Sequence, residues 1–183
     1  FGTLAVGSGA TLDISGRTIV DGKGTGILDV NQGGRLIAGG KTATVNHLHN
    51  NGSVYIGNAT DHGKSYGVLT VEGNYEGGQG SALHFGKVNA TGQEETAPLV
   101  TGGIKNLMVV KGDAKGTSEV KIKEVFNPQL ITKKGILLVN VEGDASNFIL
   151  THKGGVTDGG VEYIFEGRKD TNGFDEGTNS WYL

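Results

Sequence analysis

The chain has 183 residues, enough to bury a continuous core, and 34 of them are glycine against an ordinary level of roughly 7%. Two prolines exclude collagen and proline-rich linkers, and 16 basic against 19 acidic residues, interspersed to a net charge of −3, leave no basic block for phosphate, so nucleic acid is not an expected partner. No run of about 18 apolar residues is present to cross a bilayer as a helix. The absence of cysteine argues against a disulfide-rich secreted eukaryotic domain, and it suits a chain that crosses a periplasm unfolded as well as a cytosolic one.

The chain opens at Phe1, without methionine or signal peptide and inside a strand-like pattern, which reads as a segment of a longer protein. Apolar or β-branched residues then fall eight apart, at Leu4, Leu12, Val20, Leu28, Leu36 and Thr44. Pairs two apart, Leu4 with Val6, Leu12 with Ile14, Leu28 with Val30 and Leu36 with Ala38, put both side chains on one face of a short strand. Turn formers separate them: Gly7-Ser8-Gly9, Ser15-Gly16, Asp21-Gly22-Lys23-Gly24, Gly33-Gly34 and Gly39-Gly40. A strand and a corner every eight residues, three to a circuit, predicts an all-β parallel β-helix with coils of about 24 residues. Leu4 then stacks on Leu28 and Leu12 on Leu36, each fully buried aliphatic contributing roughly 1.5–3 kcal/mol. A series of antiparallel hairpins is the alternative for such spacing.

Further strands are expected at Val54 to Ile56, Val68 to Val71 and Leu83 to Phe85, with a loop from Asn58 to Tyr66. From about Leu99 the strands become longer and richer in β-branched residues: Leu107 to Val110, Val120 to Val125, Ile136 to Val141, Phe148 to Leu150 and Val161 to Phe165. Turns at Lys111-Gly112-Asp113, Asn127-Pro128, Glu142-Gly143-Asp144 and Asp158-Gly159-Gly160 separate them. A solenoid needs a modified terminal unit to cover its last coil, and this part has the composition of one. The division expected is β-helix coils over 1–66 and a β-rich C-terminal cap over 67–183.

Four blocks carry a family resemblance. Leu69-Thr70-Val71-Glu72-Gly73-Asn74-Tyr75, followed by Gly77-Gly78 and Leu83-His84-Phe85, is the first. Leu107 to Gly116, Gly135 to Val141 and the closing Asn179-Ser180-Trp181-Tyr182-Leu183 follow in order. Together they resemble the C-terminal part of the secreted passenger of Gram-negative autotransporters of the pertactin-like type. The stretch Asn89 to Gly103 departs from that pattern, being longer and more polar. The resemblance implies a right-handed, three-stranded parallel β-helix stem whose last part, the autochaperone region, promotes folding and outer-membrane translocation. It also implies a place on the bacterial cell surface or outside the cell, as part of a virulence factor or adhesin. The partners implied are the upstream passenger β-helix and a downstream outer-membrane β-barrel.

Candidate chemistry is weak throughout. Glu94-Glu95 and Asp175-Glu176 are adjacent, so on a strand their carboxyls point to opposite faces rather than across a cleft. Asp13 and Asp29 occupy matching strand positions but different sides of a three-sided coil. His47 and His49 share one side of an extended segment without a third metal ligand at recognisable spacing. Gly77-Gly78-Gln79-Gly80-Ser81-Ala82-Leu83 approaches a calcium β-roll repeat, but Ala82 replaces the liganding aspartate. The expectation is a non-catalytic chain with no metal and no cofactor. The residues expected to carry a structural and folding role are the interior strand positions Leu107, Val109, Ile136, Leu138, Phe148, Tyr163 and Trp181. The alternative is an adhesin module that binds a host surface or neighbouring cells through polar side-wall ladders such as Lys41, Thr42, Thr44 and Asn46.

Overall fold

The computed structural model describes residues 2–39, 42–57, 67–89, 106–126, 137–153, 156–158, 161–169 and 179–183, and no helix occurs among them. Three short strands make the first coil: β1 (Thr3–Val6), β2 (Thr11–Asp13) and β3 (Thr18–Ile19). The second holds β4 (Ile27–Val30), β5 (Arg35–Ala38) and β6 (Ala43–Val45); the third holds β7 (His47–Asn50), β8 (Ser53–Ile56) and β9 (Val68–Val71). Then come β10 (Tyr75–Gly77), β11 (Ala82–Asn89) and β12 (Leu107–Val110), followed by the long β13 (Ala114–Phe126) and β14 (Leu137–Val141). The chain ends in β15 (Asn147–Thr151), the pair β16 (Val156–Asp158) and β17 (Val161–Tyr163), and β18 (Glu166–Lys169) and β19 (Asn179–Tyr182).

Each strand pairs in parallel with its counterpart one coil on, which makes a three-sided parallel β-helix. The first side stacks β1, β4, β7, β10 and the start of β13; the second stacks β2, β5, β8, β11 and the rest of β13; the third stacks β3, β6, β9, β12 and β14. β13 serves two sides by turning the corner at Gly116, whose φ of 84° is left-handed and whose missing Cβ leaves room for the Gly77 carbonyl.

The inward positions form columns. Leu28, Leu48, Tyr75 and Ala114 align on the first side; Leu36, Val54, Leu83 and Val120 on the second; Leu69, Met108 and Val139 on the third. Leu4 does stack on Leu28, and Leu12 on Leu36. Stacking is what buries them: Leu4, in the first coil, is 38% exposed, whereas Leu28 is 1% exposed.

The eight-residue spacing fails on the third side. β3 is only two residues long, Val20 lies exposed beyond it, and Thr44 points outward between the buried Ala43 and Val45. The reason is length: Thr18 pairs with Thr44, a step of 26 residues, against 24 from Leu4 to Leu28. Later steps range from 18, for Arg35 to Ser53, up to 39, for Tyr75 to Ala114. Strands on either side of the expected division pair in parallel, β6 with β9, β7 with β10 and β8 with β11. Among the described residues antiparallel pairing begins only beyond β15, with β16–β17, β14–β19 and β18–β19. The loop expected over Asn58 to Tyr66 lies outside the described residues, as does most of Asn89 to Gly103.

Candidate functional site at the closed end of the coil

The corner that precedes the first side repeats one dipeptide pattern coil after coil: Gly73-Asn74, Gly112-Asp113 and Gly143-Asp144. Each glycine amide donates to the main chain of the coil before it, Gly73 to Asn46 O at 2.9 Å, Gly112 to Gly73 O at 2.9 Å and Gly143 to Gly112 O at 3.0 Å. The side chains form a second ladder. His47 Nδ1 accepts from Asn74 N–H at 2.9 Å, Asn74 Oδ1 from Asp113 N–H at 2.9 Å, and Asp113 Oδ1 from Asp144 N–H at 2.8 Å. The two ladders explain each other. A Cβ on Gly73, Gly112 or Gly143 would overlap the side chain of His47, Asn74 or Asp113 that reaches up from the preceding coil. β19 closes this corner, where Asn179 Nδ2 donates to Gly143 O at 3.2 Å.

Inside the column the closed end is aromatic. Phe148 sits between Tyr75 and Trp181, with ring centroids at 5.5 and 5.2 Å and both pairs edge-to-face at 68° and 73°. Because β19 runs antiparallel to β14, Trp181 and Leu183 turn into the column and cover its last layer. The buried Ser180 Oγ donates to Asn140 Oδ1 at 2.8 Å beside them.

A second apolar cluster lies on the other face of the third side: Val68, Leu107, Val109, Leu137 and Tyr182. Of the expected interior positions, Leu138, Phe148 and Trp181 are in the central column. Leu107 and Val109 are buried but face away from it, and Met108 and Val110 take the inward places of β12. All four residues of β12 are apolar, so alternation could not assign its faces. Ile136 lies outside the described residues. Tyr163 is in β17, opposite Val156.

The remaining candidates are dispersed. Asp13 caps its own corner, accepting the Ser15 amide at 2.9 Å and the Ser15 hydroxyl, and the hydroxyl bond above all holds its carboxyl below the usual range. Asp29 is on the first side and Asp13 on the second. His47 and His49 face the same way, yet His47 is engaged in the corner ladder and His49 lies 3.6 Å from Glu76. No group of three metal-ligating side chains occurs among the described residues. Glu94-Glu95 and Asp175-Glu176 lie outside them. Lys41 does too, Thr42 and Thr44 are at least partly exposed, and Asn46 is buried, its Oδ1 accepting the Asp21 amide at 2.8 Å.

Two features escaped the sequence. One is the stack of His84 on Tyr55 at 4.2 Å, with Arg35 over the other ring at 4.9 Å. The other is a buried polar cluster, Asn50, Tyr75, Ser81 and Ser118, inside the column. The pairing of Ser81, just before β11, with Ser118 of β13 was legible only once the register was known.

The chain is 37% identical over 122 residues to the uncharacterized protein YdeU of Escherichia coli (strain K12), 66% of this chain and 23% of that protein. It is 30% identical over 147 residues to YuaO and 26% identical over 159 residues to YuaQ, both uncharacterized proteins of the same organism. These alignments cover 79% and 86% of this chain but 7% and 10% of those proteins, so the chain spans less than a quarter of the relatives it matches. No solved structure matches it. The Autochaperone Domain Type 1 family matches residues 43–165, a span that holds all three Gly-Asn/Asp corners and Phe148. By that match over more than half its length, the chain belongs to the type 1 autochaperone domains, the passenger-associated folding modules of autotransporters.

Proposed function

We propose that this chain is the non-catalytic stem of an autotransporter passenger. Its closed C-terminal end folds first outside a Gram-negative cell and templates the coils that precede it. The observation that carries this is the sealed C-terminal end of the column. The C-terminal end is sealed by antiparallel strands, with Trp181 and Leu183 over the last layer. A sealed end resists further addition, so coils stack on it from the N-terminal side alone, each burying its apolar face on the one already formed. Growth away from the sealed end then needs no energy source beyond stacking, and it draws the passenger out through its outer-membrane β-barrel.

The test is Leu138→Asp in the intact autotransporter. Leu138 is fully buried in the column, and an unpaired carboxylate there prevents the closed end from forming. Protease-resistant passenger on whole cells is expected to disappear while the barrel still assembles. Normal, protease-resistant display of the variant would refute the reading.

A further inference from the structure

Along the described coils the inward strand positions are apolar, aliphatic or aromatic, but the corner where the first side meets the second breaks that rule. There Val6, Val30, Asn50, Gly77, Gly116 and Phe148 align, so a polar residue and two glycines interrupt an apolar column. The glycines make space: a Cβ on Gly77 would overlap Ser118 Oγ. Into that space project four side chains of 0–1% exposure. Asn50 Nδ2 donates to Tyr75 Oη at 3.1 Å and to Ala82 O at 3.2 Å, while its Oδ1 accepts the Gly52 amide at 3.0 Å. Tyr75 Oη is 2.7 Å from Ser118 Oγ, which is 2.7 Å from Ser81 Oγ, and Ser81 Oγ donates to Thr117 O at 2.9 Å. Three successive coils are thus joined by one buried hydrogen-bond network.

A network of this kind adds little to stability, because apolar residues of equal volume would pack as well. Its effect falls on the alternatives. Parallel stacks of alternating aliphatics are nearly degenerate to a slip of two residues, since a slip preserves which side chains face inward. Leu28-x-Val30 could meet β7 in either alignment at small cost. β7 against β10 could not, because a slip takes the Asn50 amide away from Tyr75 Oη and Ala82 O and leaves buried polar groups unpaired.

We propose that Asn50, Tyr75, Ser81 and Ser118 form a register lock that sets the alignment in which the third coil docks on the fourth and the fourth on the fifth. They are positioning residues. The proposal rests on the templating reading only for the direction in which coils are added.

The chain has no cysteine, so a reporter pair can be introduced cleanly. His49 and Glu76 are half-exposed register partners on adjacent strands of the outer face, and H49C/E76C forms a disulfide in the native alignment. The full 183-residue chain carrying this pair is refolded from denaturant under oxidising conditions, and the unlinked fraction is measured by mass spectrometry. In the background of Asn50→Leu the unlinked fraction is expected to rise roughly ten-fold, the scale set by leaving a buried polar group unpaired. Tyr75→Phe, which keeps the ring and removes only the hydroxyl, moves it in the same direction and decides the matter if Asn50→Leu does not fold. The all-apolar variant N50L/Y75F/S81A/S118A separates alignment from packing: its Tm matches or exceeds the parent's while its unlinked fraction stays raised. Unlinked fractions equal to the parent's in Tyr75→Phe and in the all-apolar variant would overturn the proposal. The refolding contains no membrane, barrel or passenger, so its result stands whichever way the Leu138→Asp display test falls.

Discussion

Phe148 offers the sharpest test of how the closed end is held together. It is 3% exposed and meets two rings at once, Tyr75 from the fourth coil and Trp181 from the closing strand. Phe148→Ala removes the buried ring and leaves a cavity that stacked strands cannot easily collapse, a loss of about 3–5 kcal/mol. Phe148→Leu keeps most of the volume but forfeits both edge-to-face pairs, and a loss of about 2 kcal/mol is expected. Trp181 is the sole tryptophan and lies against the mutated side chain, so its emission in a urea titration reports the closed end directly. Since each coil contacts only its neighbours, amide protection in β4 and β5 should change much less than in β14 and β15. A loss below about 1 kcal/mol in the alanine variant, or a leucine variant as stable as the parent, would refute the account of the aromatic layer.

Three further outcomes follow from the same geometry. Gly112→Ala should cost about 1–3 kcal/mol, because its methyl meets Asn74 Oδ1 and the Gly73 carbonyl, whereas Gly7→Ala, with open space around it, should stay within about 0.5 kcal/mol; thermal melts compare them. Burial, with smaller contributions from Lys121 and Arg35, lowers His84 from 6.5 to about 4. Between those values the unfolded chain binds the proton and the folded chain does not, so the contribution is whole above about pH 6.5, falls as pH drops and is lost below about 4. Water reaches part of the ring, so the screened loss is about 1–2 kcal/mol, and Tm of His84→Phe should fall less than the parent's over that range. Asp113→Ala should remove one rung of the corner ladder, costing about 1 kcal/mol and speeding exchange of the Asp144 amide, which hydrogen exchange would detect.

Much of the stem was legible because its signals are local. Glycine-rich corners and pairs of aliphatics two apart name the strands, and the stacking of Leu4 on Leu28 and Leu12 on Leu36 follows from equal coil lengths. Gly112-Asp113 and Gly143-Asp144 stood out as turns, although that they join Gly73-Asn74 in a continuous ladder appears only when the coils are stacked. β12 shows the limit: four apolar residues in a row hold no alternation, and only the cluster with Val68, Leu137 and Tyr182 decides that Leu107 and Val109 face outward.

Asn50 is the opposite case, since a polar residue next to Asn51-Gly52 reads as part of a solvent-facing turn and is instead fully buried. The amino-acid sequence by itself determined where the chain extends, where it turns and that its extended pieces are apolar on one face. Tertiary structure alone decided which strand lies on which, because partners stand from 18 to 39 residues apart and lengthening the intervening loop costs little free energy. Strand alternation repeats every two residues and carries no memory over such distances. Alignment between coils is therefore set by contacts that exist only after the coils have met.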